Sequence, residues 1–109
     1  MLRYKNYSLS TFRQSLKEIE DYLNEVAPNA TIRFLDELNQ QINSILLMPF
    51  LYPPYEYDNR FRKMVMTEWR YTLIYIVDKE KHAVIIYDII HQSRNVPEVL
   101  LEKFPINAR

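Results

Sequence analysis

A chain of 109 residues is the size of one ordinary domain, with room for a single hydrophobic core. Its 48% apolar and 26% charged residues read as globular rather than disordered, and its 14 basic against 14 acidic side chains leave no global field to draw in nucleic acid. With no cysteine and no glycine, disulfide frameworks, thiolate metal sites, glycine-rich phosphate cradles, dinucleotide fingerprints and nucleophile elbows are all excluded.

The missing glycine also limits how the chain turns. Asn, Asp and Pro must do that work, as Ala27-Pro28-Asn29, Pro53-Pro54 and Asp78 indicate. No apolar run approaches the roughly 18 residues of a membrane span. The start MLRYKNYSLS has no apolar h-region and no small-residue cleavage site, so the cytoplasm is the expected location.

Leu2 to Tyr7 reads as a short, weakly patterned first strand, after which Ser8 or Ser10 is placed to cap a helix. Leu9, Phe12, Leu16, Ile19, Leu23 and Val26 then step by three and four, one apolar stripe on a helical period. Pro28 is expected to end that helix and Asn29 to cap the next. In the second helix Ala30, Phe34, Leu35, Leu38, Ile42, Ile45 and Leu46 repeat the stripe as far as Pro49. So short a connection predicts an antiparallel helix hairpin over residues 9–47.

Residues 49–59 form a loop rich in tyrosine and proline. From Arg60 the period becomes two, with Phe61, Lys63 and Val65 alternating with Arg62, Met64 and Met66 in a strand over 60–67. Residues 71–77 (YTLIYIV) are apolar on both faces apart from Thr72, which suits a central strand. A turn at Asp78-Lys79-Glu80-Lys81 leads to a returning strand over 83–90, in which Asp88 is the one charge. Asn95 or Val96 opens a last helix over 97–104, with Pro97 in its first turn and Val99, Leu100 and Phe104 as its apolar side. The expected class is α+β: an antiparallel sheet, made of the N-terminal strand and a three-stranded meander, covered by the helix hairpin.

The charges are unevenly placed. From Arg60 to Arg70, four basic residues (Arg60, Arg62, Lys63, Arg70) stand against Glu68, a local excess of +3. Glu18, Asp21 and Glu25 instead line the end of the first helix, where the macrodipole disfavours acids. They form either a solvated face or a face that meets something basic, the chain's own arginine cluster included.

The order of elements and the wording of Arg62-Lys63, Trp69-Arg70-Tyr71 with Tyr75, and Ile89-Ile90-His91-Gln92-Ser93-Arg94-Asn95 resemble the RelE/ParE toxins of bacterial type II toxin–antitoxin pairs. Ile19 to Tyr22, Phe34 with Leu38, and Pro49 fall where that family has its helical landmarks. The resemblance spans essentially the whole chain, and its specificity lies in the order of motifs. It implies a growth-inhibiting toxin held silent by a cognate antitoxin. Two targets follow from it: DNA gyrase, poisoned by ParE-like members through protein binding, or ribosome-bound messenger RNA, cut by RelE-like members. A diverged protein-interaction module on the same fold is a third possibility.

Metal-free RNA cleavage needs a proton mover and charge stabilisation at the phosphate. The candidates are His91, histidine being the side chain type most often used to move a proton, with Arg62, Lys63, Arg70 and Arg94 around the phosphate. Against this stand the chain's neutrality, where ribosome-cutting members are strongly basic, and the lack of a late tyrosine beyond Tyr87 or of any match after Arg94 except Arg109. The amphipathic stretch VPEVLLEKF also points toward ParE-like members, so gyrase inhibition is the leading expectation. A binding surface would then use Tyr55, Tyr57, Trp69, Leu101 and Lys103.

Each residue also has a plain structural reading. His91 follows Ile85, Tyr87 and Ile89 at period two and so ends a core face with one ring nitrogen on backbone. Arg94 caps the strand or pairs with Asp88 or Glu98; Arg70 serves an ion pair or stacks near Trp69. The loop tyrosines pack over a sheet edge or form a binding surface. Two isolated histidines do not make a metal site, and no cofactor is expected.

Overall fold

The computed structural model describes residues 2–106, so Arg109 lies outside the described residues. The elements run β1 (Lys5–Ser8), α1 (Ser10–Val26), α2 (Pro28–Leu47), β2 (Arg62–Met66), β3 (Tyr71–Asp78), β4 (Ala83–His91) and α3 (Val96–Lys103). The sheet order is β1-β4-β3-β2: β2, β3 and β4 form the antiparallel meander, and β1 joins β4 in parallel. The α+β class holds, and the sheet is mixed. β1 is separated from β4 by both helices and two strands, so no hairpin dictates its direction.

The helix stripes bury as their spacing predicts, except at the end of α1, where Val26 is exposed. Phe12, Ile19 and Leu23 of α1 and Phe34, Leu38, Ile42, Ile45 and Leu46 of α2 pack on Met64, Met66, Leu73, Tyr75, Val84, Ile86 and Ile89. Tyr75 is fully buried and donates to the Pro49 carbonyl at 3.2 Å. Burial pushes its phenol up to about 12, so that donor keeps its proton at neutral pH. The opposite face is covered too. Tyr55, Phe61, Ile74, Ile90, Val96, Val99 and Leu100 form a second cluster built from α3, the loop between α2 and β2, and the outer face of the sheet. This second layer explains why β3 is apolar on both sides.

The helix ends differ from expectation. Neither Ser8 nor Ser10 caps α1; Leu9 occupies that position, and its N–H bonds to Ile86 O at 3.0 Å. The chain passes from strand to helix with one residue between, leaving no space for a side-chain cap. Ala27 alone separates the helices, and Pro28 begins α2, a position its fixed φ and missing N–H suit. Thr31 Oγ1 donating to Asn24 Oδ1 at 2.7 Å fastens the hairpin. In α3, whose expected start is Asn95 or Val96, Asn95 Oδ1 accepts the Glu98 N–H at 3.2 Å as a side-chain cap. Asn95→Ala should lower stability by about 1 kcal/mol in chemical denaturation.

Left-handed turns fall where glycine would ordinarily sit. Arg70 (φ 63°) and His82 (φ 52°) adopt them, rather than Asn, Asp or Pro. His82 stacks on Tyr4 with ring centroids 3.9 Å apart, and its carbonyl accepts the Lys5 N–H at 2.9 Å.

A bulge decides what β4 presents. Ile74 pairs with Asp88 but Tyr75 pairs with Ile86, so Tyr87 is the extra residue. Ile85 and Tyr87 therefore do not share a face with Ile89 and His91. The period-two reading of those four residues as one core face is corrected by this inserted residue. Asp88, fully buried, accepts Ser15 Oγ at 2.6 Å, the Ile89 N–H at 2.8 Å and Lys103 Nζ at 2.7 Å. Its partner is Lys103, not Arg94.

Candidate functional site

The register of β3 on β4 sets Tyr71 opposite His91, which brings Arg70 and His91 to the same end of the sheet. The Gln92 N–H donates to the Arg70 carbonyl at 2.7 Å, and the Arg94 N–H to the His91 carbonyl at 3.1 Å. Tyr71 meets the His91 ring edge-on, centroids 4.9 Å apart. His91 Nδ1 accepts the Ser93 N–H at 3.0 Å and lies 2.8 Å from Ser93 Oγ. A nitrogen accepting a backbone N–H has no proton of its own, so the neutral ring carries its proton on Nε2.

Above this end lies a cleft of about 200 Å³, lined by Ser15, Glu18 and Tyr22 of α1 together with Tyr71, His91 and Arg94. Burial, with Tyr22 beside it, raises the Tyr71 phenol above its ordinary value, so Tyr71 is a proton donor at neutral pH and not a base. Of the acidic stripe of α1, Glu18 faces Arg94 across this cleft, while Asp21 pairs with Lys17 on the exposed surface. No ion pair joins Glu18 to Arg94 among the described residues.

Arg62 and Lys63 are elsewhere. Met66 pairs with Tyr71 at the His91 end, while Arg62 pairs with Tyr75, four residues back along β2. At about 3.3 Å per residue that is roughly 13 Å along the sheet. Arg62 donates to the Tyr52 carbonyl at 2.5 Å and stacks on Phe50. Lys63 lies over the Tyr55 ring and 4.0 Å from Glu56. Of the five candidate catalytic groups the structure gathers Arg70, His91 and Arg94 at one end and holds the other two against the loop before β2.

The candidate binding residues also divide. Tyr57 (69% exposed) and Leu101 (50% exposed) line a cleft of about 420 Å³ between the loop and α3, with Pro97 and Ile106. Arg60 stiffens its wall by gripping Asp58 at 2.6 Å and the Phe104 carbonyl at 2.7 Å, and its hydrogen bonds lower the Asp58 carboxyl below the usual range. Tyr55 is buried in the second core cluster, and Lys103 is committed to Asp88. Trp69 Nε1 donates to Glu37 at 2.5 Å, and Arg33 stacks over the indole at 5.0 Å. The cation beside Trp69 is Arg33 of α2, not Arg70, whose left-handed backbone belongs to a turn.

The sequence reading of the site left out Ser15, Glu18 and Tyr22. Their steps of three and four mark one polar edge beside the apolar stripe of α1, and that edge faces the cleft. Among the described residues no three His, Cys, Asp or Glu side chains converge as a metal site would need, and no helix is long and apolar enough to cross a membrane.

The cleft thus closes one end of a helix hairpin packed on a meander sheet. The family model for the ParE toxin of the type II toxin–antitoxin system parDE matches residues 9–96. The chain belongs to that family. Among solved structures it is similar to the chromosomal ParDE system from P. aeruginosa, at 13% identity and a TM-score of 0.69 over 82% of this chain and 96% of that one. The isolated E. coli RelE toxin aligns at 15% identity and a TM-score of 0.62, over 92% and 97% of the two chains. A chain of the RelBE2 toxin–antitoxin complex from Mycobacterium tuberculosis aligns at 16% identity and 0.57, over 83% and 99%. None of the curated proteins compared is similar enough to match.

Proposed function

We propose that this toxin is a ParE-like protein-binding inhibitor of DNA gyrase, neutralised in the cytoplasm by a cognate antitoxin. One observation carries the reading: the charged groups an RNA-cleaving site would need are split. Arg62 and Lys63 stand four and three strand positions back from the His91 end, each engaged by the loop between α2 and β2. Charge stabilisation works only where the donors surround the reacting phosphate. The net charge of zero points the same way, since affinity for ribosomal RNA comes mainly from phosphate neutralisation. The exposed Tyr57 and Leu101 offer a surface of the kind that binds protein.

A second reading rests on the cleft of Tyr22, Tyr71, His91 and Arg94, which is a RelE-like ribonuclease with a reduced set of cations. One experiment separates the two. The chain is expressed with and without the antitoxin reading frame, and DNA and protein synthesis are followed by pulse labelling. Gyrase inhibition predicts that DNA synthesis stops first, that His91→Ala and Arg94→Ala remain fully toxic, and that Leu101→Glu weakens inhibition of supercoiling by purified gyrase. An immediate halt in translation with cut messages, relieved by about a hundredfold loss in either of the first two variants, is the ribonuclease result. Truncation after Asn95 is no substitute for Leu101→Glu, because α3 buries Val96, Val99 and Leu100.

A further inference from the structure

Leu47, Met48, Phe50 and Leu51 are four large apolar side chains within five residues, 46%, 56%, 43% and 51% exposed. They sit where α2 ends, in a turn closed by the Leu51 N–H on the Met48 carbonyl at 3.0 Å. Single exposed apolar residues are ordinary; a contiguous run at a turn is not. Phe50 is also flanked by two cations, the Arg62 guanidinium 4.8 Å and the Lys79 ammonium 5.1 Å from its ring. Neither cation is in an ion pair among the described residues. Beneath them a hollow of about 140 Å³ is floored by Pro54, Phe61, Ile76 and Val77.

We propose that this end of the sheet, remote from the His91 cleft, is a docking surface for an acidic protein segment with an apolar anchor. The ring positions both cations before any partner arrives, which reduces the ordering cost of binding. A carboxylate placed between them meets the Arg62 N–H groups not engaged by the Tyr52 carbonyl and the ammonium of Lys79 together. Leucine-sized side chains of the same segment cover Leu47, Met48 and Leu51. The local charge pattern selects a short segment over an extended polyanion. Asp78 and Glu80 flank Lys79 in the chain and repel a phosphate backbone or an anionic bilayer lying flat across the turn, a penalty that grows with the number of anionic groups and is least for a short segment. The proposal is independent of the gyrase reading, because it names the chemistry of a partner and not its target activity.

The test is fluorescence anisotropy of the intact chain with a short labelled peptide carrying leucines at helical spacing between glutamates. Binding is expected to weaken as salt rises, to fall by about tenfold or more in Lys79→Glu and in Leu51→Ser, and to be unchanged in Lys17→Glu on exposed α1 surface. No binding of that peptide, or equal binding when its glutamates are replaced by glutamine, overturns the proposal. Tighter binding of single-stranded RNA or of phosphatidylserine vesicles, sensitive to the same two substitutions, overturns it in favour of a polyanion surface.

Discussion

Lys103→Ala should lower the thermal midpoint of this toxin by on the order of 10 °C. The cause is Asp88, which has no solvent-accessible surface and holds three donors: Ser15 Oγ, the Ile89 N–H and Lys103 Nζ. Only the lysine brings a compensating charge. Removing it leaves a buried carboxylate with two neutral donors, a change that costs about 3 kcal/mol when the pair is well made. For a domain of this size each kcal/mol moves the midpoint by about 4–8 °C. The control is the double variant Asp88→Asn/Lys103→Ala. An amide keeps an acceptor for Ser15 and Ile89 without a charge to strand, so calorimetry should show much of the loss recovered. A double variant as unstable as the single one would place the effect in lost packing of the lysine stem. Because Lys103 anchors α3, reduced toxicity of its variants would report folding and not contact with a target.

The parts of this fold legible in the sequence are those set by local periodicity. Phe12, Ile19 and Leu23, and then Phe34, Leu38 and Ile42, face the sheet because steps of three and four leave them no other side. The central place of β3 could be read from YTLIYIV for the same kind of reason. What could not be read was pairing across the sheet. Arg62 and Arg70 are eight residues apart in the chain, and a hairpin folded at residues 67–70 carries Arg62 away from the end that Arg70 marks. The bulge at Tyr87 has no local signature in a run of aliphatic residues, yet it turns His91 toward the helix hairpin and Asp88 toward Lys103. Three of the candidate catalytic groups do share one end. That juxtaposition depends on register, as does the cleft wall contributed by α1.

Phe34→Ala is the substitution expected to cost most, about 3–5 kcal/mol in chemical denaturation. Phe34 has no exposed surface and lies near the centre of the layer between α2 and the sheet. Trp69 meets it edge-on at 5.2 Å and Tyr71 at 5.6 Å, and Tyr71 in turn contacts His91. The ring thus connects the helix hairpin, the turn that carries Arg70, and the floor of the cleft. Domains of this kind hold only about 5–15 kcal/mol in total, so the loss brings the chain close to the threshold of folding. Phe34→Leu fills most of the volume and should cost much less. A partner that binds only the folded toxin adds about 2.7 kcal/mol at a hundred times its dissociation constant. The alanine variant should therefore accumulate poorly alone and recover when the proposed antitoxin is co-expressed. An unchanged denaturation midpoint would mean that α2 is held by its other contacts and that Tyr71 keeps its position without the ring behind it.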